Sequence, residues 1–348
     1  MAHIDPTPKL DFDDVLIRPK RSTLSSRAEV DITRSYQFPH NNHIWTGIPI
    51  VASNMDTVAT FEMATVLQEH QMLTCIHKHY NMDDWKTQAS KLLPDHVAVT
   101  IGSSKQDFEL LKNISQVRPI TFICLDIANG YSEHFLDAVK RVRQAFGNSI
   151  LIAGNVVTRE MTEALIIAGA DIVKVGIGSG SACITRRVAG VGMPQLSAII
   201  ECSDAAHGLG GHVMSDGGCR NPGDVAKALA AGADFVMLGG MLAGHDESGG
   251  EIIERNGKKY REYYGMSSHT AMQRHSGGKS DYRASEGKRV ELPYRGAVKD
   301  TLQEIMGGVR SACTYVGARR LKDLPKCTTF FMVNRQTNDV YSRFDAGN

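Results

Sequence analysis

Ala168-Gly-Ala-Asp-Ile-Val173 and Ala231-Gly-Ala-Asp-Phe-Val236 are near copies of one another. In each, a helical run stops at a glycine, as a helix C-terminus does, and an aspartate opens an apolar run that reads as a strand. Working outward, short β-branched or apolar runs recur at 48–51, 73–76, 97–101, 121–125, 150–153, 171–175, 212–215 and 234–238, each ending in a polar or glycine-rich tail. Helical spacing fills the gaps at 61–69, 132–146, 159–168, 194–207 and 222–231. Ser132 and Thr158 stand as caps and Pro194 and Pro222 as first-turn prolines. The spacing averages about 27 residues per unit, close to the ~30-residue βα repeat of a (β/α)8 barrel. A doubly wound sheet would carry G-x-G-x-x-G after its first strand, but Ala52-Ser-Asn-Met-Asp56 stands there. The expectation is an α/β chain, one (β/α)8 TIM-barrel domain over 1–348, with terminal extensions packed outside the barrel. The polar segment 247–293 is too long for an ordinary connection and is expected to form a mobile active-site flap without core residues, with a disordered loop as the alternative for the free protein.

The composition narrows the function. Of 348 residues 42% are apolar, and 39 basic against 38 acidic side chains leave a net charge of +1 with no charge blocks. That balance argues against nucleic acid or a membrane surface as partner. No stretch approaches the ~18–20 apolar residues of a membrane span, and the start Met1-Ala-His-Ile-Asp-Pro6 lacks a signal-peptide pattern, so a cytoplasmic chain is expected. Seven scattered cysteines without C-x-x-C pairs read as reduced thiols rather than disulfides or zinc ligands.

Barrel enzymes work at the C-terminal ends of their strands. Here those tails include Gly176-Ile-Gly-Ser-Gly180, Ser215-Asp-Gly-Gly218 and Leu238-Gly-Gly-Met241. Glycine pairs after the seventh and eighth strands suit an anion held by backbone N–H groups, and Asp216 beside them suits ribose hydroxyls, which together suggest a nucleoside monophosphate. Cys75, Cys124 and Cys202 lie in strands or helices and read as buried hydrophobes. Cys183 lies instead in a glycine-rich loop at the mouth, where a thiolate can attack an electrophilic carbon, with the Thr185 hydroxyl two residues on to relay a proton.

Ser181-Ala-Cys-Ile-Thr-Arg186, Gly190-Val-Gly-Met-Pro-Gln195, Ser215-Asp-Gly-Gly218, Tyr264-Gly-Met-Ser267 and Tyr294-Arg-Gly296 together resemble the IMP dehydrogenase and GMP reductase family. The resemblance runs from Leu10-Asp-Phe-Asp-Asp-Val-Leu-Ile-Arg-Pro19 past Gly308-Val-Arg-Ser-Ala-Cys-Thr-Tyr-Val-Gly317, nearly the whole chain. Ile76-His-Lys-His-Tyr80, Asn129-Gly-Tyr-Ser-Glu-His-Phe135 and Tyr282-Arg-Ala-Ser-Glu-Gly287 are similar to the reductase branch. Only about twenty residues separate strands two and three, too few for the CBS insert of typical dehydrogenases. Glu286 follows the reductase pattern, with no match to the dehydrogenase Arg-Tyr pair.

The resemblance implies NADPH-dependent conversion of GMP to IMP and ammonia through a covalent bond to Cys183, with Thr185 and Glu286 handling the proton. It implies GMP contacts from Ser181, Asp216, Gly217, Gly218, Gly239, Gly240, Gly265, Met266, Ser267, Arg283 and Gly287. It places the cofactor near Lys78, Asp126, Ile127, Ala128, Ile177, Gly178, Met266, Tyr282 and Arg283. Ser26, Arg27, Ser311, Ala312, Cys313 and Thr314 would reach that cofactor from a neighbouring subunit of a homotetramer. A potassium ion is implied at the carbonyls of Gly178, Gly180 and Cys183, with Arg186 near it. Ser179, Ala182 and Ile184 depart from the usual Pro, Val or Ile, and Thr, so a looser cysteine loop and weaker cation binding are expected. A compact IMP dehydrogenase and a non-catalytic purine nucleotide sensor stay open as alternatives.

Overall fold

The computed structural model describes residues 4–275 and 284–334. Eight parallel strands close into a barrel: β1 (Ile50–Ala52), β2 (Leu73–Ile76), β3 (Val97–Ile101), β4 (Phe122–Asp126), β5 (Ile150–Val156), β6 (Ile172–Val175), β7 (His212–Asp216) and β8 (Phe235–Leu238). Closure runs through β8 and β1, where Val236 pairs with Ile50 and Leu238 with Ala52. All eight expected strands are present, with ends displaced by no more than three residues. Because both faces are covered, the strands read as continuous apolar runs. Val51, Leu73, Cys75, Phe122, Cys124, Ile152, Met214 and Phe235 fill the interior, and the apolar stripes of the surrounding helices pack outside. Cys202 is likewise buried, as expected for a small hydrophobe.

The near-repeat acts at the bottom of the barrel. Gly169 and Gly232 adopt φ of +118° and +110°, a conformation that favours glycine, and turn the chain from helix to strand. The aspartate that follows reaches the preceding strand: Asp171 Oδ2 accepts from the Leu151 N–H at 2.8 Å, and Asp234 Oδ2 from the Val213 N–H at 3.0 Å. A basic side chain completes each knot, Arg143 Nη2 at 2.5 Å from Asp171 and His207 Nε2 at 2.8 Å from Asp234. Burial would raise the Asp234 carboxyl, but His207 and His212 hold it well below the usual carboxylate range.

The N-terminal extension does more than pack outside. Its hairpin, Arg34–Gln37 with Ile44–Gly47, plugs the bottom with Tyr36, Phe38 and Trp45. The C-terminal strand Phe330–Met332 pairs with Val15–Ile17. Helix positions follow expectation, with two corrections. Thr158 makes no capping bond, its hydroxyl instead accepting from Tyr131 Oη at 3.3 Å, and Pro194 sits at the cap of Gln195–Gly208 rather than in its first turn.

The segment 247–293 corrects a larger expectation. It carries a three-stranded antiparallel sheet, β9 (Ile252–Arg255), β10 (Lys258–Tyr264) and β11 (Arg289–Pro293), and a short helix, His269–His275. Tyr263, Tyr264 and Leu292 are buried. The segment joins the core because β10 runs from water inward: Lys258 and Lys259 are exposed, while Glu262, Tyr263 and Tyr264 at its far end are all buried. Tyr282 and Arg283 lie outside the described residues.

Candidate active site

The strand tails meet in one cleft of about 600 Å³ at the C-terminal mouth, within the usual size of small-molecule sites. Cys183 is half-buried on its wall. The Cys183 N–H donates to the Gly180 carbonyl at 3.0 Å, which tightens the loop into a turn. Cys183 Sγ and Thr185 Oγ1 are 3.2 Å apart, and Thr185 Oγ1 donates to Glu286 Oε2 at 2.7 Å. Sulfur, hydroxyl and carboxylate form an unbroken line although Glu286 is a hundred residues away in sequence. Backbone pairing holds it there: the Ile184 N–H donates to the Glu286 carbonyl at 2.8 Å, and the Lys288 N–H to the Ala182 carbonyl at 2.9 Å. Residue 184 thus contributes through its backbone, which an isoleucine supplies as well as a threonine.

Ser179 stands where a proline is usual. Its hydroxyl donates to the Asp216 carbonyl at 3.0 Å, tying the cysteine loop to the end of β7 where a proline would only have stiffened it. Gly217, with φ of +88°, lets this approach happen. A Cβ there would fall 2.7 Å from Ser179 Oγ and 2.9 Å from the Gly180 nitrogen.

Beneath the relay lies a buried charge network. Lys174 Nζ is 2.5 Å from Asp216 Oδ2 and 2.9 Å from Asp126 Oδ1. Asn155 Nδ2 donates to Asp216 Oδ2 at 2.8 Å and to the Gly176 carbonyl at 2.7 Å. Burial alone would push the Lys174 ammonium down, yet the two carboxylates hold it well above the ordinary lysine value. Burial likewise opposes the Asp126 carboxylate, and Lys174 with Asn54 keeps it ionised below its ordinary value. On the far rim, His275 Nε2 sits 2.6 Å from Asp56 Oδ2 and stacks on His79 at 3.5 Å between centroids, and Tyr264 Oη donates to the same carboxylate.

Most residues singled out in the sequence converge here: Lys78, Asp126, Ile127, Ala128, Ile177, Gly178, Gly180, Asp216, Gly217, Gly265, Met266, Ser267 and Gly287 line the cleft with the relay. The glycine cradle is more divided than expected. Ser181 and Gly218 border a neighbouring hollow of about 180 Å³ beside Arg220. Gly239 lies under the Tyr263 hydroxyl, and the Gly240 carbonyl accepts from Arg295 at 2.8 Å. Arg186 is held within its own chain by Asp11 at 2.8 Å and the Met193 carbonyl at 2.7 Å. Ser26, Arg27, Ser311, Ala312, Cys313 and Thr314 do not line the cleft; the turn Arg27–Glu29, capped by Ser26, instead packs on the helix Val298–Val316. Cys313 is the most enclosed of these residues. Its side chain is fully buried, and burial pushes its thiol up to about 12.

Sequence reasoning missed Asn155, Lys174, Tyr263 and His275. Lys174 had left a signal, a lone charge inside the apolar run Ile172-Val-Lys-Val175.

A family model for the IMP dehydrogenase / GMP reductase domain matches residues 9–339. The chain belongs to that family. It is 59% identical to a GMP reductase of Caenorhabditis elegans over 99% of this chain and 98% of that one. It is 59% identical to the GMP reductase 2 of Homo sapiens over 98% and 99%, and 60% identical to a GMP reductase of Phytophthora infestans over 99% and 96%. The barrel expected from the family is the one observed, and its second and third strands are joined by a helix and two short turns with no inserted module. Among the described residues no helix is long and apolar enough to cross a membrane.

Proposed function

We propose that this protein converts GMP to IMP and ammonia with NADPH as hydride donor. The observation that carries this reading is the contact line Cys183, Thr185, Glu286 at the cleft wall, in a chain whose relatives are named GMP reductases along their full length. The Cys183 thiolate adds to purine C2. The departing amine needs a proton, which the Thr185 hydroxyl passes on and Glu286 supplies, because an alcohol alone is far too weak an acid at neutral pH. A hydride then replaces the amine at C2, and the carbon–sulfur bond breaks to release IMP and regenerate the thiolate. Asp216 would take the ribose hydroxyls through Oδ1, since Lys174 and Asn155 both engage Oδ2.

The cleft suits the cofactor. Asn155 Oδ1 and His79 Nε2 are buried without a hydrogen-bond partner among the described residues and both residues face it, as does the exposed Lys78. When bound, NADPH supplies the hydride; Asp126 and Lys78 would hold its ribose and phosphate groups. The carbonyls of Gly178, Gly180 and Cys183 offer three oxygens, one already accepting from the Cys183 N–H. That set alone does not complete a potassium cage. A homotetramer, in which Ser26, Arg27 and the 311–314 patch serve a neighbour's cofactor, and a cytoplasmic setting suited to seven free thiols complete the proposal.

The test is spectroscopic. Protein with GMP and NADPH should lose nicotinamide absorbance, whereas IMP with NAD should produce none. A gain in the second mixture would make the protein a dehydrogenase, and silence in both a nucleotide-binding protein without chemistry.

A further inference from the structure

Lys174 is the most deeply buried charge of the mouth, its side chain 3% exposed against 19% for Asp216 and 26% for Asp126. Its ammonium meets those two carboxylates and, at 3.7 Å, Met237 Sδ. Those three partners face its three protons, so the ammonium acts on ligands only through them. The carboxylates come from strands that are not neighbours: Asp126 ends β4 and Asp216 ends β7, with β5 and β6 between. No backbone ladder links the two, and the cation on β6 spans the gap. The fold makes room for it, because a Cβ at Gly154 would fall 2.6 Å from Lys174 Cβ and 2.4 Å from its carbonyl oxygen.

We infer that Lys174 is a positioning residue that aligns the ribose-binding carboxylates of the substrate and of the cofactor with one shared ammonium. This rests on the GMP and NADPH reading of the cleft. The physical reason is that two carboxylates near one another in a poorly solvated site repel, and each turns away or takes up a proton unless a cation lies between them. A carboxylate held in register accepts from a ribose diol with the strength of a charged hydrogen bond, and one that swings or protonates does not.

The test compares equilibrium binding of GMP with that of its 2′,3′-dideoxy analogue. In the parent protein, loss of the hydroxyls should weaken binding roughly 10- to 100-fold, the scale of a charged hydrogen bond. In Lys174→Met that ratio should fall to within about threefold of unity, and the KM for NADPH should rise about tenfold through Asp126. Lys174→Arg, which keeps the charge, should retain the parent ratio within about threefold. A Lys174→Met protein that unfolds cooperatively yet keeps the parent ratio overturns the inference, since a purely structural lysine would weaken both nucleotides alike.

Should the methionine variant not fold, Asp126→Asn decides the matter, because it keeps the ammonium but removes one of the two carboxylates that fix its position, so that Lys174 recentres on Asp216. Asp126 lies on the cofactor side, yet a shared ammonium released from it should shift the GMP ratio by more than threefold. An unshifted ratio overturns the inference. A parent protein that does not oxidise NADPH with GMP would not be a GMP reductase, whereas the binding ratios report on Lys174 whether or not turnover occurs.

Discussion

The two ends of the barrel use the same ingredients to opposite ends. At the bottom, Asp171 and Asp234 are enclosed, each meeting a strand N–H and a basic side chain. At the mouth, Asp126 and Asp216 share one cation and keep part of their surface in the cleft. Saturated charge at the bottom locks neighbouring strands together, and incompletely saturated charge at the mouth stays open to the cleft. The histidines divide the same way. Hydrogen bonding to Asp234 raises His207 above its ordinary pKa, whereas burial lowers His77 to about 4.

Breaking the mouth should abolish chemistry without unfolding the protein. Cys183→Ala should show no turnover in steady-state NADPH oxidation while calorimetry still finds GMP bound, since the proposed phosphate and ribose contacts belong to other residues. Activity above a few per cent would rule out the covalent route. Glu286→Gln should slow turnover by roughly 10²- to 10⁴-fold, the usual cost of a lost general acid. A deuterium isotope effect from labelled cofactor should then shrink toward unity as deamination becomes limiting; normal turnover with an unchanged effect would reduce Glu286 to a surface charge.

Breaking the bottom should do the reverse. Asp171→Asn leaves Arg143 without its carboxylate in a site where Asp171 is fully buried. Denaturant unfolding should register a loss of about 3–5 kcal/mol, with the KM for GMP in the folded protein changed less than twofold. A large KM change at full stability would erase the contrast between the ends.

The smallest expected effect is on pH dependence. His77 has a folded pKa below its unfolded one, so its contribution is intact above pH 6.5 and is lost as pH falls from 6.5 toward 4. The slope is roughly 1.4 kcal/mol per pH unit within that window. Protonation would also remove the acceptor that Nδ1 offers to the His79 N–H at 3.2 Å. His207 has the opposite sign, its contribution being full below 6.5 and lost as pH rises through its raised value. His77→Gln should therefore flatten the acid side of a stability profile and His207→Gln the neutral side; a profile identical to the parent's in both would sink this division.

The sequence by itself determined the barrel, because the strand and helix periods and the glycine turns at 169 and 232 are local properties that each segment carries alone. It also singled out Cys183, Thr185, Asp216 and Glu286, whose residue types stand out in glycine-rich or polar surroundings and in motifs similar to a known family's. Only the tertiary structure decided which of these meet. Glu286 reaches Thr185 because residues 286–288 pair with the cysteine loop, a register between segments a hundred residues apart that no local pattern encodes. Lys174 reads in sequence as an anomaly in a strand; it becomes a bridge only when β4 and β7 curve round to set carboxylates on either side of it. The polar composition of 247–293 concealed buried Tyr263 and Tyr264, because a strand that is half in water averages to polar and only its contact with the barrel reveals which half is inside.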